Sequence, residues 1–247
     1  MGELTLVPPA ERSVLFVCPA WRRVELARIC LGQLAQLVEE LRGRGMRADA
    51  IVLADDENLD VADKLRFRLL EHDNRLGAKL NTGYAYAAEH GYEYVCPAAT
   101  DTWLHPDRFT WLPGDNSILC TRNYTCLRAD GQAQARLRLE YEGGVGHRLI
   151  PTRLLEPCNY RPLQDDQMSG CDSGTLTAIH QGRDRALHLL YTDLHPYEVV
   201  GFQSETQVTP FELLVANHLR ELEKPFTGLA NRYPGTLVDA IRGFYAA

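Results

Sequence analysis

Asp101 is the acid around which a phosphate-handling site would be built. It follows the apolar run Tyr92 to Ala99 and precedes Trp103 and Pro106, so its carboxylate is expected at the carboxyl end of a strand, where open α/β sheets gather ligands. Pro19, Ala20, Trp21, Arg22 and Arg23 follow a second apolar run, Val14 to Pro19. A tryptophan ring can stack on a base and an arginine fork can pair with phosphate, although the same residues also suit a basic helix start. Asp55 and Asp56 end the run Ala50 to Ala54, from which a carboxylate can accept hydrogen bonds from a ribose or a base N–H, or serve as an ordinary cap. Lys79 and Asn81 lie two apart near a helix start, where a lysine can meet phosphate and an amide can hold a base or ribose; a solvated helix face accommodates them too. Finally, QDDQMSGCD (Gln164 to Asp172) offers Asp165, Asp166 and Asp172 as carboxylates for proton transfer.

The elements that must position these groups are legible as periodicities. VLFVCP and AIVLA are short continuous apolar runs of the kind buried on both faces of a parallel sheet. Between them Val24, Ala27, Leu31, Leu34, Val38 and Leu41 recur at helical spacing, with Gly43 and Gly45 as the stop. Val61, Leu65 and Leu69 predict a second helix, and Ala78 to Glu89 a third that feeds the strand before Asp101. Strand and helix thus alternate as in a doubly wound, Rossmann-like unit. Beyond Trp111, strands are expected at Ser117 to Thr121, Arg136 to Tyr141, Leu187 to Thr192 and Val199 to Phe202. Thr209, Pro210 and Glu212 form a capping box opening a helix with the stripe Phe211, Leu214, Val215, Leu219 and Leu222, and a last helix spans Gly235 to Tyr245. The expectation is one domain, residues 1–247, with a nucleotide-binding half at 12–110 and a second half at 111–247 sharing its sheet.

Composition narrows the class. The 247 residues carry a formal charge of -7, which argues against a generic nucleic-acid coat or an anionic-membrane binder. Seven cysteines occur without a CxxC pair, and Cys18, Cys30 and Cys96 sit in apolar runs, which reads as a reducing cytoplasm. No apolar run is long enough to span a bilayer, and Met1 to Glu11 lacks the pattern of a signal peptide. GxGxxG is absent between Val17 and Ala27, which weakens dehydrogenase and methyltransferase readings; the absence of GxxxxGK[ST] disfavours a P-loop enzyme.

The order of PAWRR after strand one, ADDEN after strand two, LGAKLNTG opening a helix and ATDTWLHP after the next strand resembles the inverting, family 2-like glycosyltransferases of the GT-A fold. It is most similar to a small phage-associated branch with a K-x-N-x-G helix start and an S-D-D-W turn. The resemblance covers roughly Val14 to Phe109 and extends more loosely beyond. It implies a GT-A α/β fold and transfer of a sugar from a nucleoside diphosphate, most simply a UDP-sugar, to a hydroxyl acceptor. It also implies that Asp55 or Asp56 contacts the base, and that Asp101 holds a divalent cation, Mn2+ or Mg2+, against the diphosphate. The G-x-D of Gly170, Cys171 and Asp172 resembles the family's catalytic base at a helix start, so Asp172 is the candidate base, although aspartate is also a preferred helix N-cap.

The chain departs from the pattern at Thr102, which stands where a second carboxylate is expected. His195, in TDLHPYE, is available to complete a cation site with Asp101, or is a turn residue before Pro196. Gln203 replaces a lysine that relatives often carry before serine. EGGVGH (Glu142 to His147) reads as a turn, and Arg148, Arg153 and Arg161 as surface arginines or contacts to an anionic group. Phage-like kinship implies a virion-protein side chain or a hydroxymethylated DNA base as acceptor. Two other readings stay open: a nucleotidyltransferase, for which PAWRR lacks the glycines, and a catalytically silent sugar-nucleotide or protein-binding module.

Overall fold

The computed structural model describes residues 12–54, 57–138, 147–182, 186–204, 211–216 and 219–246. In chain order the elements are β1 (Ser13–Pro19), α1 (Val24–Gly43), β2 (Arg47–Ala54), α2 (Asn58–Lys64), β3 (Arg68–Glu71), α3 (Leu76–Glu89), β4 (Tyr94–Pro97) and β5 (Thr102–Leu104). They continue with β6 (Ser117–Thr121), β7 (Asn123–Leu127), β8 (Gln134–Arg138), β9 (Ile150–Pro151), α4 (Cys171–Gln181) and β10 (His188–Thr192). The last are β11 (Val199–Phe202), α5 (Phe211–Ala216), β12 (Leu219–Glu223) and α6 (Gly235–Ala246).

The first sheet has the order β3-β2-β1-β4-β9. β1 lies parallel to β2 and β4, β2 lies parallel to β3, and β9 alone runs antiparallel. The parallel pair β6 and β10 joins through an antiparallel bridge between Leu119 and Leu149, just before β9. The second sheet has the order β12-β8-β7-β11-β5.

Alternation along β1 explains the layering. Val14, Phe16 and Cys18 face a core shared with Leu31, Leu34, Val38 and Leu41 of α1, whereas Leu15 and Val17 face a core shared with Leu80, Tyr84 and Ala87 of α3. Helices therefore cover both faces, and a strand buried on both sides has to be apolar throughout. α1 also reaches the second sheet, where Leu26, Ile29 and Cys30 pack with Trp103, Phe202 and the α6 residues Leu237, Val238 and Ile241.

Three elements differ from the sequence expectation. Leu69, expected on a helix, lies on β3, because α2 ends at Lys64 and the chain then pairs with β2. Leu219 and Leu222, expected on the helix of Phe211, lie on β12, where antiparallel pairing with β8 supplies hydrogen bonds after α5 has ended at Ala216. Trp103 sits on β5, a strand that no sequence pattern marks. The capping residues Thr209 and Pro210 lie outside the described residues, as do Leu139 to Tyr141 of the RLRLEY strand. All seven cysteines are free thiols, and among the described residues no helix is long and apolar enough to cross a membrane.

A close helix-to-sheet approach occurs at Gly83 of α3, where a Cβ would overlap the Val17 side chain of β1. Replacing a helical glycine with alanine ordinarily stabilises by about 1 kcal/mol. Here the overlap reverses the sign: Gly83→Ala is expected to destabilise by about 1–3 kcal/mol in urea unfolding, and the added change Val17→Ala to recover part of that loss.

Candidate active site

The site forms where β1 and β4 end and α1 begins. β1 runs out at Pro19, and the Ala20 N–H still donates to the Leu53 carbonyl at 3.0 Å, so the strand end is pinned to β2. The chain then turns into α1 within three residues. Arg22 and Arg23 adopt left-handed backbone conformations (φ 53° and 49°), which cost roughly 1–2 kcal/mol each for residues with a Cβ. Asn58 of α2 holds this turn by donating to the Arg22 carbonyl at 3.2 Å. Trp21 is 41% exposed, and the Arg22 guanidinium lies 4.3 Å from its ring centroid, a cation–π contact on an open surface. Arg23, at the N-cap position, makes no side-chain capping bond, and the positive end of this 20-residue helix lies beside the turn.

Asp101 lies opposite, on the crossover from β4 to β5, and is largely buried. Its Oδ2 accepts from Arg23 Nη1 at 2.8 Å, and its Oδ1 accepts from the Thr102 hydroxyl at 3.1 Å. Both residues were expected on strand-end turns; the fold pairs them. Asp55 and Asp56, the other acids expected here, lie outside the described residues.

Lys79 and Asn81, expected to hold a nucleotide, are instead spent inside the protein. Lys79 is 1% exposed, and its ammonium donates to the Ala20 carbonyl at 2.7 Å and to Asn74 Oδ1 at 3.3 Å. Asn81 is fully buried. Its amide donates to the Leu163 carbonyl (2.8 Å) and to Asp165 Oδ1 (3.0 Å), while its oxygen accepts from the Leu163 N–H (3.2 Å). The start of α3 is likewise occupied, since the N–H groups of Gly77 and Ala78 donate to the carbonyls of Gln167 and Asp165. That helix end is closed by the protein's own loop, so phosphate has no place there.

The same loop leads to the acids Asp165, Asp166 and Asp172. Asp165 accepts from Arg161 at 2.8 and 2.9 Å, and Asp166 is exposed beside it. Gly170, at φ 65°, occupies the N-cap position of α4, which makes Asp172 the second residue of the helix rather than its cap. Its carboxylate is exposed at the positive helix end, and its main-chain carbonyl is fixed by Arg148 Nη1 at 2.6 Å. Arg153 pairs with Asp115, away from this group. His147, read from sequence only as part of a turn, precedes Arg148 and packs on the end of β4. It is buried, and one ring nitrogen bonds the Pro97 carbonyl at 3.1 Å. Burial pushes its pKa down, while Asp172 and Asp101 both lie near enough to oppose that shift. No motif marks His147; only the packing of residues 147 and 148 against the end of β4 reveals it.

His195 does not join Asp101. β11 and β5 pair antiparallel from Val199 opposite Leu104 to Gly201 opposite Thr102, with the Phe202 N–H donating to the Asp101 carbonyl. His195 therefore lies beyond the far end of β5, about 13 Å of extended strand from Asp101. It sits there with His105 and Asp107, and burial pushes its pKa down to about 4. Gln203 is buried, its N–H donating to the Leu127 carbonyl and its carbonyl accepting from the Tyr245 hydroxyl at 2.8 Å.

With these parts in place, comparison with solved structures identifies the architecture. S. aureus TarS 1–349 in complex with UDP superposes with a TM-score of 0.52 at 10% identity, over 78% of this chain and 61% of that one. The chain has the Rossmann-like GT-A fold. A mutant Drosophila β-1,4-galactosyltransferase 7 in complex with manganese, UDP-Gal and xylobiose aligns at TM-score 0.48 and 12% identity, over 74% of this chain and 66% of that one. A nucleotidyl transferase from Methanothermobacter aligns at TM-score 0.44 and 15% identity, over 84% and 96%. This chain thus spans less than two thirds of the TarS 1–349 chain. No family model matches the sequence, and no curated protein matches it.

Two outcomes follow from the geometry. Asn81→Ala leaves the Leu163 backbone without its partners, so a loss of about 1–3 kcal/mol and faster tryptic cleavage after Arg161 are expected. Because the native state keeps His147 less protonated than the unfolded chain, stability should fall as pH drops through about 6.5 toward the lower folded value. His147→Gln should lose less stability than wild type between pH 7.5 and 5.5, read as urea midpoints.

Proposed function

We propose that the chain is a glycosyltransferase that moves a sugar from a nucleoside diphosphate, most simply a UDP-sugar, to a hydroxyl acceptor with inversion. One observation carries the reading. On a GT-A fold, Trp21, Arg22, Arg23 and Asp101 meet at the ends of β1 and β4, and Arg148, next to the His147 that bonds the end of β4, holds the start of α4, where Asp172 is exposed.

In this reading Trp21 stacks on the base, with Pro19 and Ala20 forming the floor. Arg22, Arg23 and the open N-terminus of α1 face the diphosphate. Asp172 takes the proton of the acceptor hydroxyl as its oxygen attacks the anomeric carbon from the face opposite the diphosphate. The new glycosidic bond forms while the anomeric carbon–oxygen bond breaks, and the diphosphate leaves with the electron pair. Asp166 lies on the acceptor side as a secondary carboxylate. Lys79 and Asn81 act from below as positioning residues, one holding the turn after β1 and the other the loop at 163–167.

A divalent cation such as Mn2+ or Mg2+ supplies charge neutralisation to a leaving diphosphate when one is bound. Among the described residues, the donor set at Asp101 does not fit a resident ion. Both carboxylate oxygens already accept bonds, one of them from a guanidinium, and the neighbouring position offers Thr102. Hard cations of this kind prefer several oxygen ligands, so no step is assigned to one. The same arrangement is what a silent nucleotide-binding module would retain, which makes turnover the deciding measurement. For the acceptor, the net charge of -7 favours a protein or saccharide hydroxyl, such as a virion-protein side chain, over a modified base in duplex DNA.

The test is UDP release from a panel of UDP-sugars with and without EDTA, followed by intact-mass analysis of candidate acceptors. Transfer should survive EDTA, and Arg23→Gln should lower it on the order of 100-fold. Asp172→Asn should lower turnover by about 100-fold or more while UDP still binds. Saturable UDP-sugar binding with no hydrolysis or transfer would establish the silent module, and near-normal transfer by Asp172→Asn would remove that residue from the mechanism.

A further inference from the structure

The far end of the β5–β11 pair carries a cluster for which the transfer reaction has no use. His105 follows β5, Asp107 opens the short 3-10 turn Pro106–Phe109, and His195 precedes β11. One potential ligand atom from each lies within 4.8 Å of the other two. We propose that His105, Asp107 and His195 form a structural site for a borderline divalent cation, Zn2+ in the first instance, separate from the nucleotide site at Asp101.

Four observations support it. First, His105 Nδ1 and Asp107 Oδ2 are 3.5 Å apart. Two ligands at 2.0–2.1 Å from a tetrahedral ion are separated by about 3.4 Å, so this pair already stands at chelating distance. Second, His105 is held in the form that ligates through Nδ1. Its Nε2 faces the Arg232 carbonyl at 3.2 Å, and donating that proton leaves the Nδ1 lone pair on the Asp107 side, where it now accepts from the Asp107 N–H at 3.3 Å, a long contact that ligation would exchange for the metal bond. Third, His195 is 6% exposed and its Nε2 is buried with no hydrogen-bond partner. A buried imidazole nitrogen without a partner costs on the order of 1–3 kcal/mol, and a metal bond at Nε2 would give that nitrogen a partner. Fourth, two imidazoles and a carboxylate form a donor set typical of zinc, with the half-exposed Asp107 side leaving the fourth position to water.

Closing the site requires modest movement. With all donor separations within 4.8 Å, the longest must shorten by no more than about 1.4 Å to reach a tetrahedral edge. His195 Nδ1 now accepts from the Tyr197 N–H at 3.2 Å, and ligation exchanges that contact for the metal bond, whichever ring nitrogen turns to the ion. The rings of His105 and His195 are already perpendicular with centroids 4.5 Å apart, so a small rotation of His195 suffices. Opposing charge sets the affinity, because Arg44 lies 3.4 Å from the other Asp107 oxygen and Arg232 is close to both imidazoles. The ion would tie the ends of β5 and β11 to the 3-10 turn Leu229–Asn231 and its following residue, whose carbonyl holds His105.

The test uses the full chain with metal alone. Co2+ should give the intense visible absorption of a tetrahedral site at one equivalent. Saturating Zn2+ should raise Tm by roughly 5 °C, the size expected at about 100 times Kd for a chain of this length. Asp107→Asn, an exposed change that leaves folding intact, and His195→Gln should each abolish the spectrum and the shift, whereas Asp101→Asn should keep both. Absence of the Co2+ spectrum in the wild-type chain overturns the proposal, as does its persistence in Asp107→Asn. Loss in Asp101→Asn overturns it as well, because the ion would then belong to the nucleotide site. None of these readouts depends on transfer activity, so the inference stands or falls apart from the proposed function.

Discussion

A buried ammonium holds the turn on which the site depends. Taking a lysine charge out of water costs several kcal/mol, so Lys79 must be closely solvated by the protein, and among the described residues the Ala20 carbonyl accepts from it at 2.7 Å. Ala20 is thereby fixed from two sides, by its own N–H on β2 and by its carbonyl on α3. The next three residues must turn from strand direction into α1, and the left-handed conformations of Arg22 and Arg23 are the geometric result. Strain of that kind persists only where the surroundings over-determine it, and here Asn58, Lys79 and Asp101 each restrain the segment.

The Arg23–Asp101 pair also sits at the seam between the two sheets. Asp101 follows a strand of the first sheet and precedes a strand of the second, while Arg23 starts the helix that packs against both. An ion pair with side chains 23% and 13% exposed contributes modestly to stability, yet it sets where two charged groups stand relative to the open end of α1. Helix α4 reaches the same region through Arg148, whose segment runs with His147 beside the end of β4 into β9. The Arg23–Asp101 cluster and one exposed carboxylate are thus brought to one region by separate elements.

Much of the first hundred residues was legible because each apolar run had one available interpretation. VLFVCP and AIVLA are too short and too apolar for anything but buried strands, and the α1 stripe repeats over many turns. Legibility failed where patterns were brief. Leu69, Leu219 and Leu222 continue a helical spacing, but spacing alone cannot tell a further turn from a strand, and the free edges of β2 and β8 decided the matter. β5 has only three residues, too few for a period.

The sequence by itself determined the α/β alternation, the placement of Asp101 and Trp21 to Arg23 beside strand ends, and the location of an acid at the start of α4. Each follows from local periodicity and from turn or cap chemistry. Tertiary structure decided what the polar residues do. Lys79 and Asn81 have the residue types of ligand contacts, yet burial turned both into internal props. His195 followed a strand as Asp101 did, but antiparallel pairing of β11 with β5 put it at the opposite end of that strand. His147 entered the site only through packing. The physical reason is common to all three: a residue's chemistry is local, but its desolvation and its neighbours are set by which distant strands pair and in which direction.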